Sequence, residues 1–364
     1  MQTFENPNGR IATDKNITSG QVRWKSPSNI AIIKYWGKHG RQLPRNPSIS
    51  FTLSNALTDT IVRYKLRDTT TDGIQLAFRF EGESNPAFAK KVERFLRDMI
   101  PFFPFLEQLD LEIDSSNSFP HSAGIASSAS AMSALALCLC SLERVLLGSL
   151  SDENEFLQKA SFISRLGSGS ACRSVYPIMG QWGGTHADEE ASDLYATAYA
   201  KEVHSVFHNF HDDIMIVSKA EKSVSSRAGH GLMENNIFAD NRYKQANERF
   251  EELLVALKEG DVATFGKIAE DEALTLHALM MASEPSYILL QPNTLTMIEA
   301  IRSFRAETNL HIYFSLDAGP NIHLLYPDEI KKEAQAFIQE QLIPLCEDGV
   351  YIADEVGNGP TEIH

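Results

Sequence analysis

Between positions 109 and 148 the chain changes its hydrophobic period twice. Leu109-Asp110-Leu111-Glu112-Ile113-Asp114 alternates strictly, as a half-buried strand does. A polar turn at 115–118 and the small, hydroxyl-rich run FPHSAGIASSAS (119–130) follow. AMSALALCLCSLERVLLG then carries a long apolar helix to a stop at Gly148. Strand, loop and helix in this order set helix against sheet. The remaining periodicity extends the pattern. Segments 61–66 and 74–80 alternate, and 213–218 holds a continuous apolar run that suits a buried strand. Helices are expected at about 86–99, 126–147, 152–165, 238–258, 262–280, 292–305 and 328–341. Strands and helices mix without strict alternation, so the fold class is α+β.

At 364 residues the chain exceeds what one core supports, which predicts two lobes. The polar, His-rich stretch KEVHSVFHNFHDD marks the boundary, giving lobes at 1–207 and 208–364. His204, His208, His211, Asp212 and Asp213 have loose spacing and read as a solvated approach to a strand rather than a metal site. A net charge of −15 argues against nucleic-acid or anionic-membrane partners, yet leaves room for a local basic pocket. No apolar run approaches the roughly 18 residues of a membrane span. The N-terminus, MQTFENPNGRIATDKNITSG, lacks the apolar core of a signal peptide. Cys138, Cys140, Cys172 and Cys346 lack metal-ligand spacing and read as reduced thiols. A cytoplasmic protein is expected.

Five loops carry chemistry-bearing residues. In FPHSAGIASSAS, small residues at a helix start let backbone N–H groups and the helix dipole approach an anion, typically a phosphate. Ser127, Ser128 and Ser130 add hydroxyl donors or a magnesium ligand. No Gly-Lys-Ser/Thr ends the loop, so a lysine must come from elsewhere. The alternative is a helix start kept small for packing. RLGSGSACRS (165–174) offers Arg173, a fork suited to carboxylate or phosphate, or else a surface ion pair. In SPSNIAIIKYWGK (26–38), Lys34 ends a strand and can reach a cleft, whereas Lys38 reads as a solvated charge. LHIYFSLDAGPNIHLLY (310–326) places Asp317 either in a hairpin turn or as a carboxylate fixed at a strand end. KSVSSRAGH (222–230) is a second phosphate site or only a loop.

Together, SNIAIIKYWGK (28–38), LPRNPSISFTLS (43–54), FPHSAGIASSAS, GSGSACRS (167–174), KSVSSRAGH and DAGPN (317–321) resemble the mevalonate diphosphate decarboxylase family of the GHMP kinase superfamily. The pieces stand in family order across most of the chain. The resemblance implies an N-terminal lobe like ribosomal protein S5 domain 2, a ferredoxin-like C-terminal lobe and substrates in the cleft between. It implies consumption of ATP, with magnesium, and of mevalonate 5-diphosphate, yielding isopentenyl diphosphate, carbon dioxide, ADP and phosphate, and a homodimer. By resemblance Asp317 is the catalytic carboxylate, Arg173 grips the substrate carboxylate and Lys34 lies at the reacting centre. Asn29, Tyr35, Ser168 and Ser170 surround the substrate, and Ser225, Ser226 and Arg227 close on its diphosphate. Ser122, Ala123, Gly124, Ile125, Ala126, Ser127 and Ser128 form the ATP phosphate loop, with Ser127 or Ser128 a magnesium ligand. Lys34 beside Asp317 would favour the ionised aspartate. Pro47 stands where the family has the first of two serines, leaving Ser48, and the segment from Lys38 to Pro44 is short. The alternatives are a kinase that stops at phosphorylation, a decarboxylase of the monophosphate, or a non-catalytic ligand-binding relative.

Overall fold

The computed structural model describes residues 4–12, 18–67, 73–120, 127–200, 202–220 and 224–364. Among the described residues eight strands form the first sheet. Its main path runs Thr361–Glu362, Ser19–Ile33, Ser48–Leu66, Leu109–Asn117, Gln75–Phe80, Glu83–Ser84. Met179–Trp182 pairs with the start of Ser48–Leu66 and with Thr197–Ala198. Every pairing is antiparallel except Gln75–Phe80 with Leu109–Asn117. Leu109, Leu111 and Ile113 are buried while Asp110 is exposed, so the alternation read from sequence does face one core.

Helix Ser127–Leu147 lies on that inner face, with helix Glu153–Gly167 beside it. Hydroxyls fasten it to the strands. Ser133 Oγ meets Ser26 Oγ at 2.5 Å, Ser130 Oγ meets Thr58 Oγ1 at 2.6 Å, and Trp24 Nε1–H donates to Ser141 Oγ at 2.8 Å. Ser130 is therefore packing, not a ligand: it is fully buried against the sheet. This helix also has the length and apolar composition of a membrane span, contrary to the expectation that no such run exists; 72% of its apolar window is buried inside the fold.

The second sheet orders Tyr313–Leu316, Ile322–Tyr326, His211–Met215, Tyr351–Ile352, all antiparallel. Helices Val262–Met281 and Pro292–Thr308 pack against it. Gly260, at φ 76°, ends helix Ala239–Glu259, and Asp261 caps the next by accepting the Thr264 N–H at 3.0 Å. His211, Asp212 and Asp213 do not form a solvated approach: all three are buried within a strand. Asp212 pairs with His323 at 2.8 Å, and Asp213 accepts the Tyr326 hydroxyl at 2.7 Å. Burial lifts the Asp213 pKa above the usual carboxylate value. No group of three or more His, Cys, Asp or Glu able to hold a metal occurs among the described residues. All four cysteines are free and buried.

The two sheets share one apolar core. Ile30, Ile32, Phe51 and Leu53 of the first meet Phe207, Phe210, Ile214, Phe250 and Phe265 beside the second. The Phe265 ring centre lies 4.9 Å from Phe207, 5.1 Å from Phe210 and 5.5 Å from Phe51. The chain end also crosses back. Asp354 accepts the N–H groups of Ser54, Asn55 and Ala56 at 2.9, 2.8 and 2.7 Å, and Thr361–Glu362 pairs with Ser19–Ile33. The sequence assigned all of 208–364 to one lobe; the last strand instead extends the first sheet.

Candidate active site

Where the sheets meet, a cleft of about 720 Å³ opens. Among the described residues its walls carry Lys34, Lys38, Lys91, Arg94, Arg173 and Arg227 against two carboxylates, Asp98 and Asp317. In a chain of net charge −15 this is a concentrated positive field, suited to polyanionic ligands.

Lys34 follows strand Ser19–Ile33 directly, just past an irregularity of register between Ala31 and Ile33. Its backbone is clamped. The N–H donates to Glu272 Oε2 at 2.9 Å, and the carbonyl accepts from Asn46 at 3.1 Å and Arg242 at 3.2 Å. Nζ donates to Ser315 Oγ at 2.9 Å and to Asp317 Oδ1 at 3.3 Å. The Lys34 side chain is 2% exposed and that of Asp317 25%, so the carboxylate is the more accessible of the two from the cleft. Burial pushes the Lys34 pKa down, while the Asp317 charge pulls it back. Asp317 ends strand Tyr313–Leu316, and Leu316 pairs with Ile322 across the turn. The His277 Nε2–H holds the Asp317 carbonyl at 3.0 Å. The segment is thus a hairpin turn, and it places the Asp317 carboxylate on the cleft wall.

Arg173 sits in the 3-10 turn Gly169–Val175 that follows helix Glu153–Gly167. It is 1% exposed, which rules out the surface ion pair. Nε donates to Ser50 Oγ at 2.9 Å, Nη1 to Ser48 Oγ at 2.7 Å and Nη2 to Asn29 Oδ1 at 3.3 Å. Asn29 is itself held by Ser174 Oγ at 2.7 Å and the Ser170 carbonyl at 3.2 Å. The three acceptors are neutral. Among the described residues no carboxylate lies within ion-pair distance of the guanidinium. Burial lowers its pKa, and a charge so placed favours an incoming anion.

Tyr35 packs between the tilted rings of Trp182 at 4.6 Å and His230 at 4.3 Å, and its buried hydroxyl has no partner among the described residues. A side chain at Gly169 would meet the Tyr35 ring at 2.8 Å, so glycine is required there. Ser168, Ser170 and Ser128 line the cleft, with Ser128 Oγ 3.2 Å from Ser168 Oγ. Ser127 faces an adjoining hollow of about 220 Å³ floored by Phe78, Phe80 and Phe88. Ser122, Ala123, Gly124, Ile125 and Ala126 lie outside the described residues. Ser225, Ser226 and Arg227 line the cleft, and Ser225 also caps helix Ser226–Leu232 through the Ala228 N–H at 3.2 Å. Lys38 is not a free solvated charge: it lines the cleft, donates to Gln42 at 2.9 Å, and burial together with Arg227 lowers its pKa. Lys91, Ser50, Ser315, Glu272 and His230 were not singled out from sequence. Ser50 and Ser315 each stand two residues from a residue that was, Ser48 and Asp317, and so share its strand face.

The two halves match two family descriptions. Residues 26–196 match a diphosphomevalonate decarboxylase-like N-terminal domain, and 213–358 a mevalonate 5-diphosphate decarboxylase C-terminal domain. The diphosphomevalonate decarboxylase of Saccharomyces cerevisiae is 30% identical over 86% of this chain and 79% of its own length. The chain belongs to the diphosphomevalonate decarboxylase family. A decarboxylase structure described as a complex with MVAPP, AMPPCP and magnesium superposes with a TM-score of 0.80 at 27% identity, covering 95% of this chain and 99% of that one. The mevalonate diphosphate decarboxylase from Enterococcus faecalis superposes at 0.77 and 26% identity with the same coverage. The two-lobed GHMP-type α+β fold of the decarboxylases is thus the fold of this chain.

Proposed function

We propose that the cleft carries out the ATP-dependent decarboxylation of mevalonate 5-diphosphate, giving isopentenyl diphosphate, carbon dioxide, ADP and phosphate. Family membership supports this, as do relatives whose structures hold MVAPP and AMPPCP with magnesium. The observation that carries it is Arg173: a buried cation with no carboxylate at ion-pair distance among the described residues, on the wall of the cleft that also holds the Lys34–Asp317 pair. A carboxylate-bearing substrate supplies the missing charge.

The residues then divide the chemistry. Asp317 takes the proton of the tertiary 3-hydroxyl as its oxygen receives the γ-phosphoryl group of ATP. Lys34 keeps that carboxylate ionised. The C–O bond then breaks, phosphate leaves with the electron pair, and the C–C bond to the carboxylate supplies the electrons of the new double bond. Arg173 holds the carboxylate for that loss, with Asn29 orienting the guanidinium. Tyr35, Ser168 and Ser170 line the substrate, while Ser225, Ser226 and Arg227 take the diphosphate. The loop from Ser122 to Ala126, with Ser127 and Ser128, is assigned to the ATP phosphates, and the apolar hollow beside Ser127 suits a purine. Magnesium neutralises phosphate charge. The hydroxyls of Ser127 and Ser128, hard oxygen donors at a helix start, are the residues that would hold it. Lobes divided near 207, with the last strand returned to the first, frame this cleft.

Purified protein with magnesium and ATP, offered mevalonate 5-diphosphate and separately the 5-phosphate, tests the reading. Equal release of ADP and carbon dioxide from the diphosphate is expected. ADP without carbon dioxide would make the protein a kinase.

A further inference from the structure

His230 has no part in the chemistry above, yet its ring lines the cleft next to the segment assigned to the diphosphate. It is 8% exposed. Tyr35 and Trp36 flank it, with ring centres at 4.3 and 4.6 Å. The Gly37 N–H donates to Nδ1 at 3.0 Å, so Nδ1 carries no proton and the neutral ring is protonated at Nε2. Burial, reinforced by the Lys38 charge, pushes the pKa down to about 3, which keeps the ring neutral in ordinary buffers. Nε2 donates to no described residue, and it is not among the polar atoms sealed from solvent. Its proton is therefore presented to the cleft.

We propose that His230 is a substrate-binding residue that donates its Nε2–H to a phosphate oxygen of mevalonate 5-diphosphate. The inference rests on the function proposed above and adds a residue to it. The donor differs in kind from its neighbours Lys38 and Arg227. Those are cations on long unbranched stems, whereas the imidazole is held on both faces and by Nδ1. It adds direction to a site already rich in charge.

Two variants separate donating from anchoring. The Oδ1 of His230→Asn replaces Nδ1 toward Gly37 but leaves no donor at Nε2. The Nε2 of His230→Gln replaces the donor but not the anchor. Calorimetric Kd values for mevalonate 5-diphosphate and for ATP are measured for both variants and the unaltered protein, with carbon dioxide release followed in the same preparations. Expected is a loss of about 10-fold or more in the affinity of His230→Asn for mevalonate 5-diphosphate, the range for a hydrogen bond to a charged group. His230→Gln should stay within about 3-fold on the same scale, and ATP affinity should hold in both. Unaltered substrate affinity in His230→Asn overturns the proposal. So does equal weakening of both ligands, which would mark a structural role, or a failure of the unaltered protein to bind the diphosphate. Binding without carbon dioxide release would sink the proposed reaction alone. Should His230→Asn fold poorly, the imidazole ¹⁵N spectrum of the unaltered protein decides: the Nε2 resonance, identified by its absence from His230→Gln, must move on adding mevalonate 5-diphosphate.

Discussion

Three neutral oxygens, from Ser48, Ser50 and Asn29, satisfy Arg173 without cancelling its charge. Arg173→Ala should therefore damage binding of the carboxylate-bearing substrate, and not of ATP. Its affinity for mevalonate 5-diphosphate and its kcat for carbon dioxide release should fall by about 10- to 100-fold each, with ATP affinity near normal. Unchanged KM and kcat would remove Arg173 from this role. Asp317→Asn keeps the shape of the turn and removes the base. Turnover should drop by at least about 100-fold while nucleotide still binds in a titration, and a near-normal rate would disqualify Asp317. Lys34, Arg173 and Asp317 were legible because each lies in a short, specific run of residues. Their partners were not: Ser315 is 281 positions from Lys34 and Glu272 is 238, a separation no local pattern spans.

Helices were the most readable elements. Expected spans 262–280 and 292–305 became Val262–Met281 and Pro292–Thr308, since their periodic apolar faces do meet a core. The long strand Ser48–Leu66 was seen only at 61–66, because its first two-thirds bury serines and threonines whose partners, Arg173, the Tyr176 carbonyl, Ser130 and Ser115, are distant in sequence. The single helix expected at 328–341 divides into a 3-10 turn, the short helix Lys331–Phe337 and a π turn. Helix Ser226–Leu232 lies flush on the strand end: a Cβ at Gly229 would stand 2.6 Å from the Trp36 ring. Gly229→Ala should lift the whole Ser225–Arg227 edge and lower kcat/KM for the diphosphate by up to about 100-fold, with little change in Tm. An unaltered kcat/KM would show that the edge is not positioned by this contact. Glu272 joins two helices and the Lys34 N–H. Burial raises its pKa, but Arg242 and Arg249 outweigh that and hold it below the usual value. A carboxyl lowered on folding contributes stability above its unfolded pKa, near 4.5, and loses it as pH falls through the folded value. Glu272→Gln should lower Tm at neutral pH and flatten its fall below about pH 4.5; a parallel acid limb would refute this.

At the scale of the molecule, the shared core predicts that the lobes unfold as one cooperative unit. Phe265→Ala removes a fully buried ring that packs on Phe51 of the first sheet and on Phe210, which leads directly into the second. It should cost about 3–5 kcal/mol and move a single calorimetric transition downward. Two separated transitions would mean that the sheets unfold independently. The two-lobed plan was legible from length and period. The return of the last strand was not, because two residues of strand carry too little pattern to reveal a partner more than 300 positions away. The lone charge of Arg173 has a further consequence for the cycle. Substrates and products alike are polyanions, so a basic cleft that attracts the first also detains the second. Carbon dioxide, however, departs neutral and, on the proposed assignment, takes with it the carboxylate that Arg173 holds. On that assignment, the bond cleavage that creates isopentenyl diphosphate also removes one of the contacts that hold it.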